Sequence, residues 1–320
     1  MTWYETALQI LLIGLANGSI IALIALGYTL VYGIIELINF AHGDVFMIGT
    51  MIALTTFTVV PAMMGVRRVS LLPGGMVVAL VIAALFLAMA GCALLNMTIE
   101  RLAYRPLRRA PRLAPLISAI GVSFMLVNVG LFWKGPSPVD FPSPHPVLEY
   151  DILNDLLGIK TTIFFKVKDL GVMLLALPLM VGLSLFVSRT RLGKAMRATA
   201  QDREAAAMMG ININQTIALT FLLGGALAGA AGLINGTYNN TAWYLQGFRG
   251  GLMAFTAAVL GGIGNLYGAF LGGLMIGVVA ASSDFLLDPR WTQAVVFGML
   301  ILTLVFKPTG LLGEPSTERA

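Results

Sequence analysis

Charged residues are scarce in this sequence: Asp, Glu, Lys and Arg make up only 11% of its 320 residues, whereas a soluble domain carries roughly 25%. So little charge, together with 58% hydrophobic residues and a mean hydropathy of +0.88, excludes an ordinary water-soluble domain and predicts a protein of the lipid bilayer. The net charge of +5 does not indicate nucleic-acid binding, because the basic residues fall in short connections between apolar runs.

Cysteine and catalytic motifs are nearly absent as well. Cys92 is the only cysteine, so an intrachain disulfide and a thiolate metal cluster are both excluded, and its apolar surroundings predict a small core residue. The sequence contains no G-x-x-x-x-G-K-[ST], H-E-x-x-H or G-x-S-x-G motif. We therefore expect no ATPase or hydrolase site, no metal and no bound cofactor in this chain.

Long apolar runs take the place of charge. A bilayer core about 30 Å thick needs roughly 20 consecutive apolar residues per helix, and the alternating strands of a membrane barrel are absent. The sequence therefore predicts an all-α polytopic membrane protein, with about eight (eight to ten) transmembrane helices in a single domain over residues 1–320. The runs fall at about 7–35, 45–65, 76–98, 113–133, 170–188, 216–236, 252–282 and 291–306.

Two of these runs, 7–35 and 252–282, are near 30 residues long and rich in glycine. Each is longer than one untilted crossing requires. We therefore expect both to be candidates for a broken or partly re-entrant helix.

Two connections are basic, 100–112 and 189–203, and each holds five Lys or Arg residues. The positive-inside bias places both in the cytoplasm, and the two runs between them agree, because an even number of crossings returns the chain to the same side. The proline-rich segment 134–168 is then an external loop, and the amino terminus is outside. Arg67 and Arg68 also fall outside under this orientation, against the same bias, and the side of the carboxyl terminus stays open.

The motif LINFAHGD, residues 37–44, places Asn39, His42 and Asp44 at or near membrane depth between two apolar runs. An Asp costs about 2.5 to 3.5 kcal/mol at the centre of a membrane helix, so these side chains should face protein, water or a solute. Two interpretations stay open: a helix-capping loop at one membrane surface, with Asp44 as the cap, or a lining of the solute path. We take all three residues as candidate path residues.

A second motif, RLGKAMRATAQDREAAAMMGI at 191–211, predicts a short cytoplasmic helix at about 195–210, because strong helix formers run up to a glycine stop. The segment is too short and too charged to cross the membrane. Small and Met side chains on one face suit docking into a groove on a partner; the alternative is a helix lying on lipid headgroups. The candidate docking residues are Arg197, Asp202, Arg203, Glu204, Ala205, Ala206 and Gly210.

The third segment of interest, 247–277, carries Gly261, Gly262 and Gly264 near the middle of a long uncharged run. Paired glycines in a membrane segment allow a broken helix whose half-helix ends point their dipoles at a solute. Tight helix packing explains the same glycines equally well. Asn265 and Tyr267 are the polar groups beside the expected break and complete the set of candidate path residues.

These segments together resemble the LivH-type permeases of branched-chain amino acid ATP-binding-cassette (ABC) importers. Their order and spacing are specific for the family but not for the solute, because urea and amide permeases resemble the same pattern. The matching stretches are ALGYTLVYGIIELINFAHGDVFMIG (25–49), IERLAYRPLR (99–108), LISAIG (116–121), DREAAAMMGI (202–211), FTAAVLGGIG (255–264) and KPTGLLG (307–313).

The resemblance implies an ABC-importer permease bundle in the bacterial plasma (inner) membrane. It implies a second, related permease chain, two cytoplasmic ATP-binding subunits that use the ATP, and an external solute-binding protein. The helix at 195–210 is then the element that couples this chain to the ATPases, and the expected solute is a branched-chain or other hydrophobic amino acid. Ala280 is a departure, since LivH-type chains often carry an acidic residue at the matching place.

Two alternatives stay open. One is an ABC permease for urea or a short amide, which would share the architecture and differ in solute. The other is a self-sufficient channel or secondary transporter, which would need no ATPase partner. The missing nucleophile and metal motifs argue against a membrane-embedded enzyme.

Overall fold

The computed structural model describes residues 2–37, 39–66, 69–108, 110–111, 113–144, 146–156 and 161–313. Arg67 and Arg68, and Arg109 and Arg112 of the first basic connection, lie outside these ranges. The elements within them are α1 (Trp3–Ile35), α2 (His42–Met63), α3 (Gly74–Ile99), α4 (Leu113–Lys134), β1 (Val139–Asp140), α5 (Val167–Arg189), α6 (Arg191–Gln201), α7 (Arg203–Met208), α8 (Ile213–Asn239), β2 (Thr241–Ala242), α9 (Gln246–Gly261), α10 (Leu266–Leu286) and α11 (Thr292–Phe306).

Helices make up nearly all of this part of the chain, and the two short strands pair antiparallel. Seven helices among the described residues are long and apolar enough to cross a bilayer: α1, α2, α3 with its continuation to Leu107, α4, α5, α8 and α10. Helix α11 is a shorter apolar helix, and α9 has 16 residues. The predicted all-α polytopic membrane protein is confirmed.

The two long apolar runs differ from each other. The later run is broken as expected, because α9 ends before Gly262 and α10 begins after Gly264, and these glycines have φ angles of 106° and 97°. Helix α1, in contrast, continues unbroken for 33 residues, so the expectation of a break there is wrong. Its glycines serve helix packing: a methyl group on Gly18 would meet the Leu274 Cα of α10 at 2.8 Å, a close backbone approach typical of membrane bundles.

Helix α1 is the centre of the bundle and packs against α10, α8, α9 and α5. Most of α1 and α8 is buried, whereas α4 and α5 leave most of their surface exposed. The inner helices therefore bury glycine-lined backbone against one another, while the outer helices present apolar side chains to lipid or to partner chains.

Both basic connections lie at one end of the bundle, which we call the α6–α7 end. Arg108 Nη1, after α3, donates a hydrogen bond of 2.6 Å to Asn214 Oδ1 at the start of α8. Arg203 Nη2 of α7 donates one of 2.9 Å to the Ile34 carbonyl at the end of α1. Segment 307–313 also returns here.

The opposite end, the loop end, holds the two-stranded sheet and the segment between α4 and α5. The Gln9 side chain in the first turns of α1 exchanges hydrogen bonds of 2.8 and 2.7 Å with the backbone carbonyl and N–H of Phe164. Trp243 Nε1 donates to the Pro136 carbonyl over 3.0 Å. The long connection predicted at 134–168 is thus placed at the end away from α6 and α7.

Candidate functional site

Helix α2 begins inside the bundle rather than at its surface. After α1 the chain reverses through Glu36, which has a left-handed φ of 54°, and α2 starts at His42, in contact with Gly27 of α1. Gly27 precedes the last residue of α1, Ile35, by eight positions, or about 12 Å along the helix axis. When a hydrocarbon core about 30 Å thick is centred on the 33 residues of α1, the start of α2 lies about 12 Å from its centre, just inside the core.

Helix α9 also begins inside the layer, against the start of α2. A methyl group on Gly251 would lie 3.0 Å from both the Gly43 Cα of α2 and the Tyr28 Oη of α1. We call this meeting point of the first turns of α2 and α9 the junction. Helix N-termini carry unpaired N–H groups and a partial positive charge, so the junction is an electropositive point at membrane depth.

Two polar residues of the 37–44 motif are buried beside the junction. Asn39 Oδ1 accepts a hydrogen bond of 2.9 Å from Tyr104 Oη, and Asn39 Nδ2 donates one of 3.4 Å to Asn96 Oδ1. The His42 ring packs edge-on against the Tyr28 ring, with centroids 4.7 Å apart. Neither residue is more than 1% exposed, so both are held within the protein in this conformation.

Asp44 lies in the first turn of α2 but does not cap it. The N-cap is Ala41 and makes no side-chain cap hydrogen bond, so the prediction of an Asp44 cap is wrong. Asp44 Oδ2 instead accepts a hydrogen bond from Ser123 Oγ of α4, and its Oδ1 has no hydrogen-bond partner in the described part of the chain. The two helix N-termini at the junction place partial positive charge beside this side chain, which is only 1% exposed.

Two cavities flank α1, one toward each end of the bundle. The loop-end cavity has a volume of about 390 Å³ and touches α1 between Asn17 and Ile24. The α6–α7-end cavity has a volume of about 580 Å³ and touches α1 between Thr29 and Ile34. Both volumes fall within the range of small-molecule sites, about 300 to 1,000 Å³.

The loop-end cavity carries two charges from different helices. Arg249 of α9 is exposed and forms no ion pair among the described residues. Asp284 of α10 is also exposed and accepts a hydrogen bond from Thr292 Oγ1. The prediction from sequence placed neither residue in a site, although Arg249 is the single charge in residues 205–283, which is a usable signal.

The α6–α7-end cavity is lined by two candidate path residues, Asn265 and Tyr267, and by Arg197. Asn265 caps α10 by accepting a backbone hydrogen bond of 3.0 Å and donates one of 2.8 Å to the Leu312 carbonyl. Tyr267 Oη accepts a hydrogen bond of 2.7 Å from Ser184 Oγ. The structure therefore does not bring these residues together with the polar residues at the junction.

The segment predicted as one docking helix forms two helices, α6 and α7. Asp202 separates them, because it leaves the helical conformation and its Oδ1 accepts hydrogen bonds of 2.9 and 3.0 Å from the backbone N–H groups of Glu204 and Ala205. Gly210, with a φ of 82°, follows the end of α7, and the predicted helix stop is confirmed.

Exposure divides the candidate docking residues. Ala206 is only 4% exposed and packs within this chain in this conformation, so it is not part of the exposed surface of the segment. Met208 and Met209 expose 83% and 84% of their surfaces, and Glu204 beside them is exposed. These three side chains form what we call the methionine face.

Two basic candidates hold α6 and α7 against the bundle. Arg203 donates to the Ile34 carbonyl of α1, and Arg197 Nη1 donates to the Val187 carbonyl near the end of α5. Charged groups that satisfy backbone carbonyls at a helix end also complement the negative end of the helix dipole. In this conformation both arginines attach α6 and α7 to the membrane helices.

Residues 10–304 match the family described as branched-chain amino acid transport system / permease component. The chain is similar to the high-affinity branched-chain amino acid transport system permease protein BraD of Pseudomonas aeruginosa, with 43% identity over 315 residues, 98% of this chain and 97% of the relative. It is 40% identical to the permease protein LivH of Escherichia coli K12 over 319 residues, 98% and 97% of the two chains. A probable LivH of Methanocaldococcus jannaschii is 27% identical over 305 residues, 92% and 89% of the two chains. No solved structure matches.

Proposed function

Because the chain belongs to the family of permease components of branched-chain amino acid transport systems, we propose that it is the membrane-spanning permease subunit of an ABC importer. It carries branched-chain or similar hydrophobic amino acids into the cytoplasm across the bacterial plasma membrane, and partner subunits bind and hydrolyse the ATP. The single observation that supports this mechanism is the junction, where two helices begin at membrane depth. Half-helix ends at this depth are typical of solute sites in transporters.

The assembly we propose contains this chain, a second related permease chain, two cytoplasmic ATP-binding subunits and an external solute-binding protein. Transport by alternating access requires two arrangements of the permease pair whose equilibrium the ATP-binding subunits shift. Asn39, His42 and Asp44 are buried in the present arrangement. We place them as gate residues that line the path only when α2 and α9 move apart at the junction.

The methionine face is the proposed contact with the ATP-binding subunits. Flexible, polarisable Met side chains adapt to a groove on a partner, and Glu204 adds a charge at its edge. The attachment of Arg197 and Arg203 to the ends of α5 and α1 gives a physical route by which a displacement of this face reaches the membrane helices.

The direct test is reconstitution of the assembled importer in liposomes, with radiolabelled leucine, isoleucine and valine outside and ATP inside. We expect ATP-dependent accumulation that requires the solute-binding protein. Flux through this chain alone without ATP would instead establish a self-sufficient channel or secondary transporter, and uptake of urea or a short amide without leucine uptake would establish the alternative solute.

The coupling role is tested with Met208→Ser combined with Met209→Ser. We expect loss of leucine-stimulated ATP hydrolysis while the purified chain keeps its thermal stability, because these side chains contact little of their own protein. The matched control is Met63→Ser combined with Met64→Ser, an adjacent pair at the end of α2 that is also exposed, 83% and 51%. Equal coupling in both double variants would refute the assignment.

A further inference from the structure

We infer that the loop-end cavity binds a zwitterionic amino acid, with Arg249 as the partner of the α-carboxylate and Asp284 as the partner of the α-ammonium group. An apolar wall of the same cavity receives the aliphatic side chain. The inference rests on the proposed function and adds to it the place and chemistry of solute recognition within the permease.

The position of Arg249 is the first argument. Its neighbour Gly250 packs against Ile24 of α1, which lies five residues from the midpoint of that helix, or about 8 Å along its axis. An arginine at this depth needs a polar partner or water, yet Arg249 has no ion-pair partner in the described part of the chain. Its planar guanidinium matches a carboxylate with two parallel hydrogen bonds.

Asp284 supplies the opposite charge from another helix. One of its carboxylate oxygens accepts the hydrogen bond from Thr292 Oγ1, which orients the group, and the other makes no hydrogen bond among the described residues. No ion pair joins it to Arg249, although both residues line the same cavity. Two opposite charges that share one small cavity without pairing match the two charged groups of an amino acid.

The remaining walls suit an aliphatic side chain. Part of the cavity is apolar, and its volume of about 390 Å³ lies at the small end of ligand sites. A neutral solute such as urea carries no charged group to bind Arg249 or Asp284 and no aliphatic group to pack against an apolar wall. The composition of the cavity therefore favours an amino acid. The larger aliphatic and aromatic side chains of this lining that lie on helices come from α1, α2 and α9, and they are Ile20, Ile21, Ile24, Phe46 and Met253.

The test measures leucine binding to the assembled permease–ATPase complex in nanodiscs, without the solute-binding protein, by a radioligand proximity assay. Arg249→Gln and Asp284→Asn should each weaken leucine binding about tenfold or more, since each removes one charged hydrogen-bonding partner. The matched controls are Arg290→Gln and Asp288→Asn, an exposed pair in the connection between α10 and α11, and both should bind leucine as the wild type does.

Two leucine analogues assign the groups. Leucinol keeps the ammonium group and lacks the carboxylate, so its binding should weaken in Asp284→Asn and stay unchanged in Arg249→Gln. The anion 4-methylpentanoate lacks the ammonium group and should show the reverse pattern. Leucine affinity within twofold of wild type in both variants would overturn the inference, and so would equal losses of both analogues in both variants.

A second measurement does not depend on charge-changing variants. Asn239→Cys places a thiol on the cavity wall, and the native Cys92 is buried and so protected from labelling. Leucine should slow the modification of this thiol by a charged methanethiosulfonate reagent, whereas Arg290→Cys should be modified at the same rate with and without leucine. Equal modification rates of Asn239→Cys with and without leucine would overturn the inference.

The proposed function and this inference fail separately. If Arg249→Gln and Asp284→Asn both import leucine with the kinetics of the wild type, the inferred binding site is wrong and the proposed permease role still stands. Absence of leucine import by the wild-type assembly would remove the proposed function, whatever the binding assay shows.

Discussion

The two cavities beside α1 differ in the bonding of two polar side chains in each. At the α6–α7 end, Asn265 and Tyr267 satisfy partners within the protein, a helix N-terminus, a carbonyl and a hydroxyl. At the loop end, Arg249 has no ion-pair partner among the described residues, and Asp284 has a single hydroxyl donor. Polar groups that are already bonded stabilise a fold, whereas unbonded ones remain available to a ligand.

Because of this difference, we expect substitutions in one cavity to change mainly stability and substitutions in the other to change mainly ligand affinity. Substitutions at the α6–α7-end cavity should lower the free energy of unfolding, because they remove hydrogen bonds that hold α10 and segment 307–313 together. Substitutions at the loop-end cavity should leave stability nearly unchanged and alter affinity. The junction between α2 and α9 is the exception, since both properties depend on the close approach of its backbones.

Gly251→Val should have the largest effect, because it forces the junction apart. The new side chain would meet the Gly43 Cα and the Tyr28 Oη at 3.0 Å or less, and overpacking of this kind costs about 1 to 3 kcal/mol, more where backbone must move. We expect a large fall in the yield of monodisperse protein and loss of transport. Size-exclusion chromatography and a thermal unfolding curve in detergent measure the effect.

Gly298→Val is the control for this variant, because a methyl group at Gly298 of α11 meets no atom within 4 Å. It should fold and unfold as the wild type does. Equal stability of the two valine variants would show that the junction is not tightly packed.

Asn265→Ala should destabilise the chain by about 2 kcal/mol, from loss of an N-cap and of the hydrogen bond to the Leu312 carbonyl. Its counterpart at the loop-end cavity is Asn239→Ala, which removes only a hydrogen bond within its own helix, to Asn235 Oδ1. We expect a shift of about 0.5 kcal/mol or less for Asn239→Ala. Denaturant titrations measure the free energy of unfolding of both variants. A larger loss of this free energy for Asn239→Ala than for Asn265→Ala would contradict the prediction.

Tyr267→Phe removes a single hydroxyl and should cost about 1 kcal/mol, the net value of the hydrogen bond from Ser184 Oγ. Tyr32→Phe is the matched change, since the Tyr32 hydroxyl makes no hydrogen bond among the described residues. The prediction is a lower unfolding midpoint for the first variant alone. Identical midpoints would mean that the bond to Ser184 adds no stability.

Glu149 near the loop end should show the smallest effect, and one that depends on pH. The hydrogen bond from Lys166 Nζ, with weaker support from Asn240 and Lys168, lowers the pKa of Glu149 from 4.5 to about 2. A lowered folded-state pKa adds stability that is complete above pH 4.5 and is lost as the pH falls toward 2. Because about a third of the side chain is exposed, we expect less than about 1 kcal/mol.

Glu149→Gln checks this expectation. The difference in unfolding midpoint between wild type and variant should be present at pH 7 and shrink between pH 4.5 and pH 2. Asp288→Asn is the control, because its Arg290 partner is 92% exposed and the pair is screened by water. A constant difference for Glu149→Gln across this pH range would contradict the prediction.

The spans, the broken run and the helix stop at Gly210 could be predicted from sequence, because each depends on a local signal: apolar length, paired glycines with positive φ, or a run of helix formers. The starts of α2 and α9 inside the bundle could not. They depend on contacts between distant segments, such as Gly43 with Gly251, and a single sequence does not show which glycines face each other. For the same reason the glycines of α1 suggested a break where they serve packing.

The candidate site shows the same division. Asn39, His42 and Asp44 are recognisable from sequence as costly polar groups, but their burial depends on partners such as Tyr104 and Ser123 from other helices. Ala280, where the resemblance leads one to expect an acidic residue, lies beside one in the structure. Ala280 and Asp284 line the same cavity one helical turn apart. A carboxylate on this face of α10 is thus present four residues after Ala280.

The short length of α9 has a consequence for biosynthesis. Its 16 residues extend for about 24 Å, less than a hydrocarbon core about 30 Å thick, and its first turn carries the charge of Arg249. Such a segment is not expected to enter lipid alone as it leaves the ribosome. We expect it to insert against α10, α1 and α2, helices with which it packs, so that the insertion of α9 and the closing of the junction are one step of assembly.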